Sequence, residues 1–102
     1  MNLDCDSEGY LLNYQDWSPA FAEQKAQEVG LSLNPFDWQL LAYIRSFYAA
    51  HALMPLSRLL VRYVKTELDP GFNSIKLQER YSDKPLRVLA KMAGLPKPIQ
   101  CI

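Results

Sequence analysis

Cysteine, histidine and glycine are all scarce in this chain, which has two cysteines, one histidine and four glycines in 102 residues. Two cysteines, Cys5 and Cys101, are too few for a disulfide scaffold. With His51 as the only imidazole, they make no metal site by spacing, so neither a metal nor a cofactor is expected. Charge of one sign is also missing: eleven Lys and Arg balance eleven Asp and Glu, and any charged partner must be met by a local patch. Long apolar runs are absent because Arg45, His51, Arg58 and Arg62 interrupt them, well short of the ~20 residues that span a bilayer. The start, MNLDCDSEGY, is acidic and lacks the basic-then-apolar order of a signal peptide. A cytoplasmic protein with reduced thiols and no membrane contact is the expectation.

What is present is helix punctuation. Ser18-Pro19 supplies an N-cap and N1 pair and Gly30 a stop, with Ala22, Ala26 and Val29 on one face. Asn34-Pro35 repeats the signal ahead of the longest helix, where Leu40, Leu41, Ile44, Phe47 and Tyr48 form a core-facing stripe. Pro55 opens a third helix carrying Leu56, Leu59, Leu60, Tyr63 and Val64. Asn73 to Tyr81 reads as a short fourth, and Pro85 opens a fifth with Leu86, Leu89, Ala90 and Ala93 inward and Gly94 as C-cap. Ahead of the helices, Asp6-Ser7-Glu8-Gly9 followed by YLLNY predicts a β-hairpin that must pack on them. The fold class is therefore α+β, predominantly helical: a small N-terminal hairpin or meander on about five helices.

After Gly94, Pro96 and Pro98 remove two backbone donors and favour extended geometry, so the tail GLPKPIQCI reads as an arm. The boundary falls between a globular domain at 1–94 and a mobile arm at 95–102. At ~3.1 Å per residue the arm carries the Cys101 thiol roughly 20 Å from the helix end. A thiol on a semi-stiff tether is suited to visiting partners.

Several segments resemble the TusE/DsrC family of small sulfur-relay proteins: DSEGYL and the following Asp16-Trp17, Trp38 with IRSFY, Pro55 with RLLVR, Asn73-Ser74, and above all KMAGLPKPIQCI at Lys91 to Ile102. The resemblance covers nearly the whole chain. It implies strands packed on a helical array with a mobile C-terminal arm, and a penultimate cysteine, here Cys101, that accepts sulfane sulfur as a persulfide and passes it on. DsrC-type members that serve dissimilatory sulfite reductase carry a second arm cysteine where this chain has Ala90, so the sequence resembles the TusE side, which relays sulfur toward 2-thiouridine in the tRNA wobble base. The partners so implied are a donor of the TusBCD type and a tRNA thiouridylase as acceptor, with tRNA contact at most indirect and the free protein a monomer. The activity would be that of a sulfurtransferase of the EC 2.8.1.- type. Two features depart from the family: a shorter N-terminus, and IKLQERYSDKP at Ile75 to Pro85 in place of the usual aromatic segment.

Arg58, Arg62 and Lys65 lie at i, i+4 and i+7 and make a basic stripe on the third helix. With Lys97 they are candidate contacts for the arm or an anionic partner. Lys97 or Lys91 could also offset the terminal carboxylate beside Cys101. Cys5, His51, Asp16, Trp17 and Trp38 read as structural. The alternatives are a DsrC-like partner or regulator linked to sulfite reductase, a helix-turn-helix nucleic-acid-binding module, which zero net charge disfavours, and an adaptor without sulfur chemistry.

Overall fold

The computed structural model describes residues 5–98. Five helices follow one another: α1 (Pro19–Glu28), α2 (Pro35–His51), α3 (Ser57–Glu67), α4 (Ser74–Tyr81) and α5 (Pro85–Ala93), preceded by one 3-10 turn at Tyr14–Asp16. Three begin on side-chain caps. The Ser18 hydroxyl accepts from the Phe21 N–H, and Asn73 Oδ1 accepts from the Lys76 N–H. Asn34 and Asp37 form a reciprocal capping box at the start of α2.

Helix α5 is the hub, packed against α1, α2 and α4, while α3 leans on α4. Its Leu86, Leu89, Ala90, Met92 and Ala93 are all buried, and they meet Ala22 and Ala26 of α1, Leu40, Leu41 and Ile44 of α2, Leu60 and Val64 of α3, and Leu77 and Tyr81 of α4 in one core. Val29 departs from expectation: α1 ends one residue earlier, so Val29 leaves helical geometry and is exposed, while Phe21 in the first turn of α1 is buried. Phe47 and Tyr48 are half-buried at the edge of the core.

The N-terminal hairpin is not formed among the described residues, which contain no strand. What remains is the tight turn, with the Gly9 N–H donating to Asp6 O at 3.0 Å, and a single antiparallel bridge between Cys5 and Leu11. Two local effects end it there. Tyr10 and Leu11 are both buried, which breaks the alternation a strand on a core requires. Asn13 then caps the 3-10 turn by accepting from the Gln15 N–H, curling the chain out of extended geometry.

A buried polar lock joins the start of α2 to the end of α4. The Asp37 carboxylate, 1% exposed, accepts from Arg80 Nε at 2.7 Å, from a second Arg80 nitrogen and from the Tyr81 hydroxyl. Burial pushes Asp37 up, but the bonds from Arg80, Tyr81 and the Asn34 N–H outweigh it and hold the carboxyl below its usual range. Burial, and then the bond to Asp37, push the Tyr81 phenol well up.

Candidate functional site: the root of the C-terminal arm

Cys101 lies outside the described residues, as do Ile99, Gln100 and Ile102. The site can be built up to Pro98, beginning with the way α5 ends. Gly94 adopts φ +75°, its N–H reaches Lys91 O, and the Leu95 N–H donates to Ala90 O at 2.9 Å, a Schellman closure. Glycine is required for a second reason: a Cβ at Gly94 would stand 2.6 Å from Trp17 Cδ1. Leu95, the first residue assigned to the arm, is fully buried in the core, and Ala90 is also fully buried.

The last carbonyls of α5 are then captured from outside the helix. Trp17 Nε1 donates to Met92 O at 2.7 Å, and Arg45 Nη1 donates to Ala93 O at 2.7 Å. The other arm of the same guanidinium donates to Tyr14 O at 2.9 Å, and its plane lies 4.4 Å from the Trp17 ring centre. A cation at a helix C-terminus is favoured by the dipole and by the orphan carbonyls it satisfies. Burial lowers the Arg45 pKa from its usual value, with the Tyr14 side chain opposing. Arginine remains charged throughout the working range.

Beyond Leu95 the chain runs along the molecule. Pro96, Lys97 and Pro98 border an apolar groove of about 410 Å³ shared with Phe47, Tyr48, Leu53 and Met54. Lys97 Nζ also reaches back to the N-terminal turn, donating to both carboxylate oxygens of Glu8 at 3.1 and 3.0 Å.

The basic stripe divides. Arg58 and Lys65 border a second groove, of about 690 Å³, with Val61, Asn73 and Ser74, whereas Arg62 is not part of its lining and Lys97 faces the first groove. Leu56 lines both. Arg58, Arg62 and Lys65 are all exposed and make no ion pair among the described residues. The residues read as structural take structural places: Cys5 is the half-buried bridge partner, Trp38 packs at the core edge, Asp16 sits in the 3-10 turn, and His51 is the exposed last residue of α2 with its ring 4.5 Å from Phe47. Trp17 both packs and caps, and so joins the arm root. Arg45 and Glu8 were not singled out from sequence. For Arg45 a signal existed, since a charge at the position between Leu41 and Tyr48 interrupts an otherwise inward-facing row.

Among the described residues no group of three or more His, Cys, Asp or Glu side chains could hold a metal ion, and no helix is long and apolar enough to cross a membrane.

Residues 1–102 match the family described as DsrC like protein. Sulfurtransferase TusE of Buchnera aphidicola subsp. Acyrthosiphon pisum is 33% identical over 102 residues, covering 99% of this chain and 90% of that protein. Among solved structures, the NMR structure of DsrC from Allochromatium vinosum superposes with a TM-score of 0.83 at 32% identity, covering 98% of this chain and 90% of that one. The oxidized gamma-subunit of dissimilatory sulfite reductase (DsrC) from Archaeoglobus fulgidus gives 0.84 at 25% identity, covering 98% and 92%.

Proposed function

Because this chain belongs to the DsrC-like protein family, we propose that it is a sulfur-relay protein, a sulfurtransferase that carries sulfur as a persulfide on Cys101. The observation that carries the reading is the arm root: a doubly clamped helix end past which the proline-bearing tail follows the groove from Pro96 to Pro98. A carrier needs that combination of a fixed base and a reaching tip.

The chemistry is two thiol exchanges. The Cys101 thiolate attacks the outer sulfur of a donor persulfide; a new S–S bond forms, the donor S–S bond breaks, and the donor leaves as a thiolate, giving Cys101-S-SH. An acceptor thiolate then attacks the outer sulfur, and Cys101 departs with the bonding pair. No net oxidation occurs, and neither step calls for a metal or cofactor. An unperturbed thiol near pKa ~8.5 is only a few per cent ionised at neutral pH, so the donor's own site supplies the activation. The arm, from Pro96 onward, moves between donor and acceptor while Leu95 stays anchored. The donor is of the TusBCD type, the acceptor a tRNA thiouridylase, the end product wobble 2-thiouridine, and the compartment the cytoplasm. The free protein is a monomer. With Ala90 in place of a second cysteine, no disulfide forms within the arm.

Intact-mass measurement after incubation with a sulfane-sulfur donor tests this. A gain of one sulfur in wild type and in Cys5→Ser, absent in Cys101→Ser, is the expected result. Labelling that persists in Cys101→Ser and vanishes in Cys5→Ser overturns it.

A further inference from the structure

The groove beside α3 is larger than the one along the tail, about 690 Å³ against about 410 Å³. On α3 its lining is a row in which Arg58, Val61 and Lys65 stand three and four positions apart and so share a face, with Leu56 just ahead of them. Asn73 and Ser74, at the start of α4, complete it. Charge here is of one sign: among the described residues no carboxylate lines the groove, and Arg58 and Lys65 are exposed and make no ion pair. Between the two cations lies Val61, half-buried and apolar. A solvated helix face needs no hollow; this one has cations at the two ends of a concave strip with an apolar middle.

Position and spacing narrow what could lie there. Leu56 lines both grooves, so the α3 groove adjoins the track that the tail follows from Pro96 to Pro98. A protein that takes the tail from its track is thereby brought against Arg58 and Lys65. These two are seven residues apart, ~10.5 Å along the axis at 1.5 Å per residue. A partner helix with carboxylates at i and i+7 repeats that distance, and apolar residues at i+3 and i+4 share the face between them. Nucleic acid fits less well, because three cations on α3, in a chain with no net charge, are few against the ~6–10 phosphates that such binders commonly neutralise.

We propose that the α3 groove is a docking surface for an acidic amphipathic helix of the protein that exchanges sulfur with this chain, with its two carboxylates on Arg58 and Lys65 and its apolar step on Val61. That the helix belongs to a sulfur partner rests on the relay reading; the docking of an acidic helix does not.

The test titrates the full, isotope-labelled chain with an acetylated and amidated Ala/Gln peptide of roughly 16 residues, long enough to populate helix, carrying two Glu seven positions apart and Leu three and four places after the first. The same peptide with Gln for Glu is the neutral control. Saturable amide shifts at Arg58, Val61, Lys65 and Ser74 are expected from the acidic peptide alone. Arg58→Met and Lys65→Met should each weaken binding about threefold, the share of one exposed ion pair, and Val61→Ser should weaken it as well. Lys91→Met, outside this groove, should bind as wild type does, and the same spectra report the folding of every variant. Equal binding of the neutral peptide, unchanged affinity in both cation variants, tighter binding of an oligouridylate at the same amides, or the same shifts from sodium phosphate at equal concentration would each overturn the assignment. So would large shifts at Val61 and Lys65 in a chain carrying Ile99→Ser and Ile102→Ser with no peptide present, since the chain's own tail would then be the occupant. The peptide holds no sulfur, so this readout and the intact-mass test of Cys101 can each fail without the other.

Discussion

Two polar clusters hold this small molecule together, and they do it in opposite ways. At the α2–α4 junction, Asp37, Arg80 and Tyr81 pair side chain with side chain, and each charge finds its opposite. At the arm root, Arg45 meets no carboxylate among the described residues; its partners are the carbonyls of Tyr14 and Ala93, with Trp17 beside it on Met92. A pair of opposite charges can in principle be exchanged for packed apolar groups at little cost. A cation on backbone carbonyls cannot, because carbonyls survive every substitution and, once buried, must still be satisfied. The first cluster therefore stabilises the globule, and the second fixes where the main chain goes.

Breaking the lock should have the largest effect. Asp37→Ala leaves Arg80 without its buried partner, and a loss of about 3–5 kcal/mol in denaturant unfolding is expected. The pH dependence has a definite sign. A carboxyl held below its unfolded value contributes stability above that value, near ~3.9, and loses it as pH falls through the native pKa. Wild type should therefore lose stability on acidification below about pH 4, and Asp37→Asn should show a shallower decline. Equal slopes in urea midpoints across that range would remove the lock from the account.

Gly94→Ala strikes the root through the backbone. The left-handed conformation costs an alanine about 1–2 kcal/mol, and displacing Trp17 forfeits a hydrogen bond of about 1 kcal/mol. Together about 2–3 kcal/mol should be lost, with the Trp17 indole N–H resonance moving. An unmoved indole would mean that the close approach is relieved elsewhere.

Arg45→Met keeps an apolar stem and removes the cation. A loss of about 1–3 kcal/mol is expected, together with amide shifts at both Tyr14 and Leu95, since one guanidinium holds both segments. Shifts at one segment alone would contradict the double clamp.

Lys97→Ala is the mildest. Its ion pair with Glu8 is solvent-exposed, so stability should change by no more than ~0.5 kcal/mol, while limited proteolysis of the tail beyond Leu95 accelerates. A large stability loss would make the pair part of the core rather than a tie for the tail.

The helices were legible because their signals are local. Ser18-Pro19, Asn34-Pro35, Asn73 and Gly94 each act within a few residues, and each marks a helix end in the structure. The inward row on α5 was legible for the same reason. The hairpin was misread because the turn at Asp6 to Gly9 is real but the extension beyond it is decided by Asn13, whose preference for a cap competes with pairing. The two polar clusters were beyond a reading by pattern. Asp37 meets residues 43 and 44 positions away, and Trp17 meets a carbonyl 75 positions away, so their partners exist only once the helices have packed. Of the candidate site, the tail and its base could be read; the division of Arg58, Lys65 and Lys97 between two grooves could not, because it depends on how α3 sits beside α4.

One guanidinium grips carbonyls near both ends of the chain, at Tyr14 and at Ala93, and this has a bearing on biosynthesis. Helices α1, α2 and α4 all pack through α5, and this grip closes only when the last turn of α5 has been released. A nascent chain that still lacks α5 therefore lacks both the hub of its core and the fixed root of its tail. The core and the path of the tail are completed together, late in synthesis.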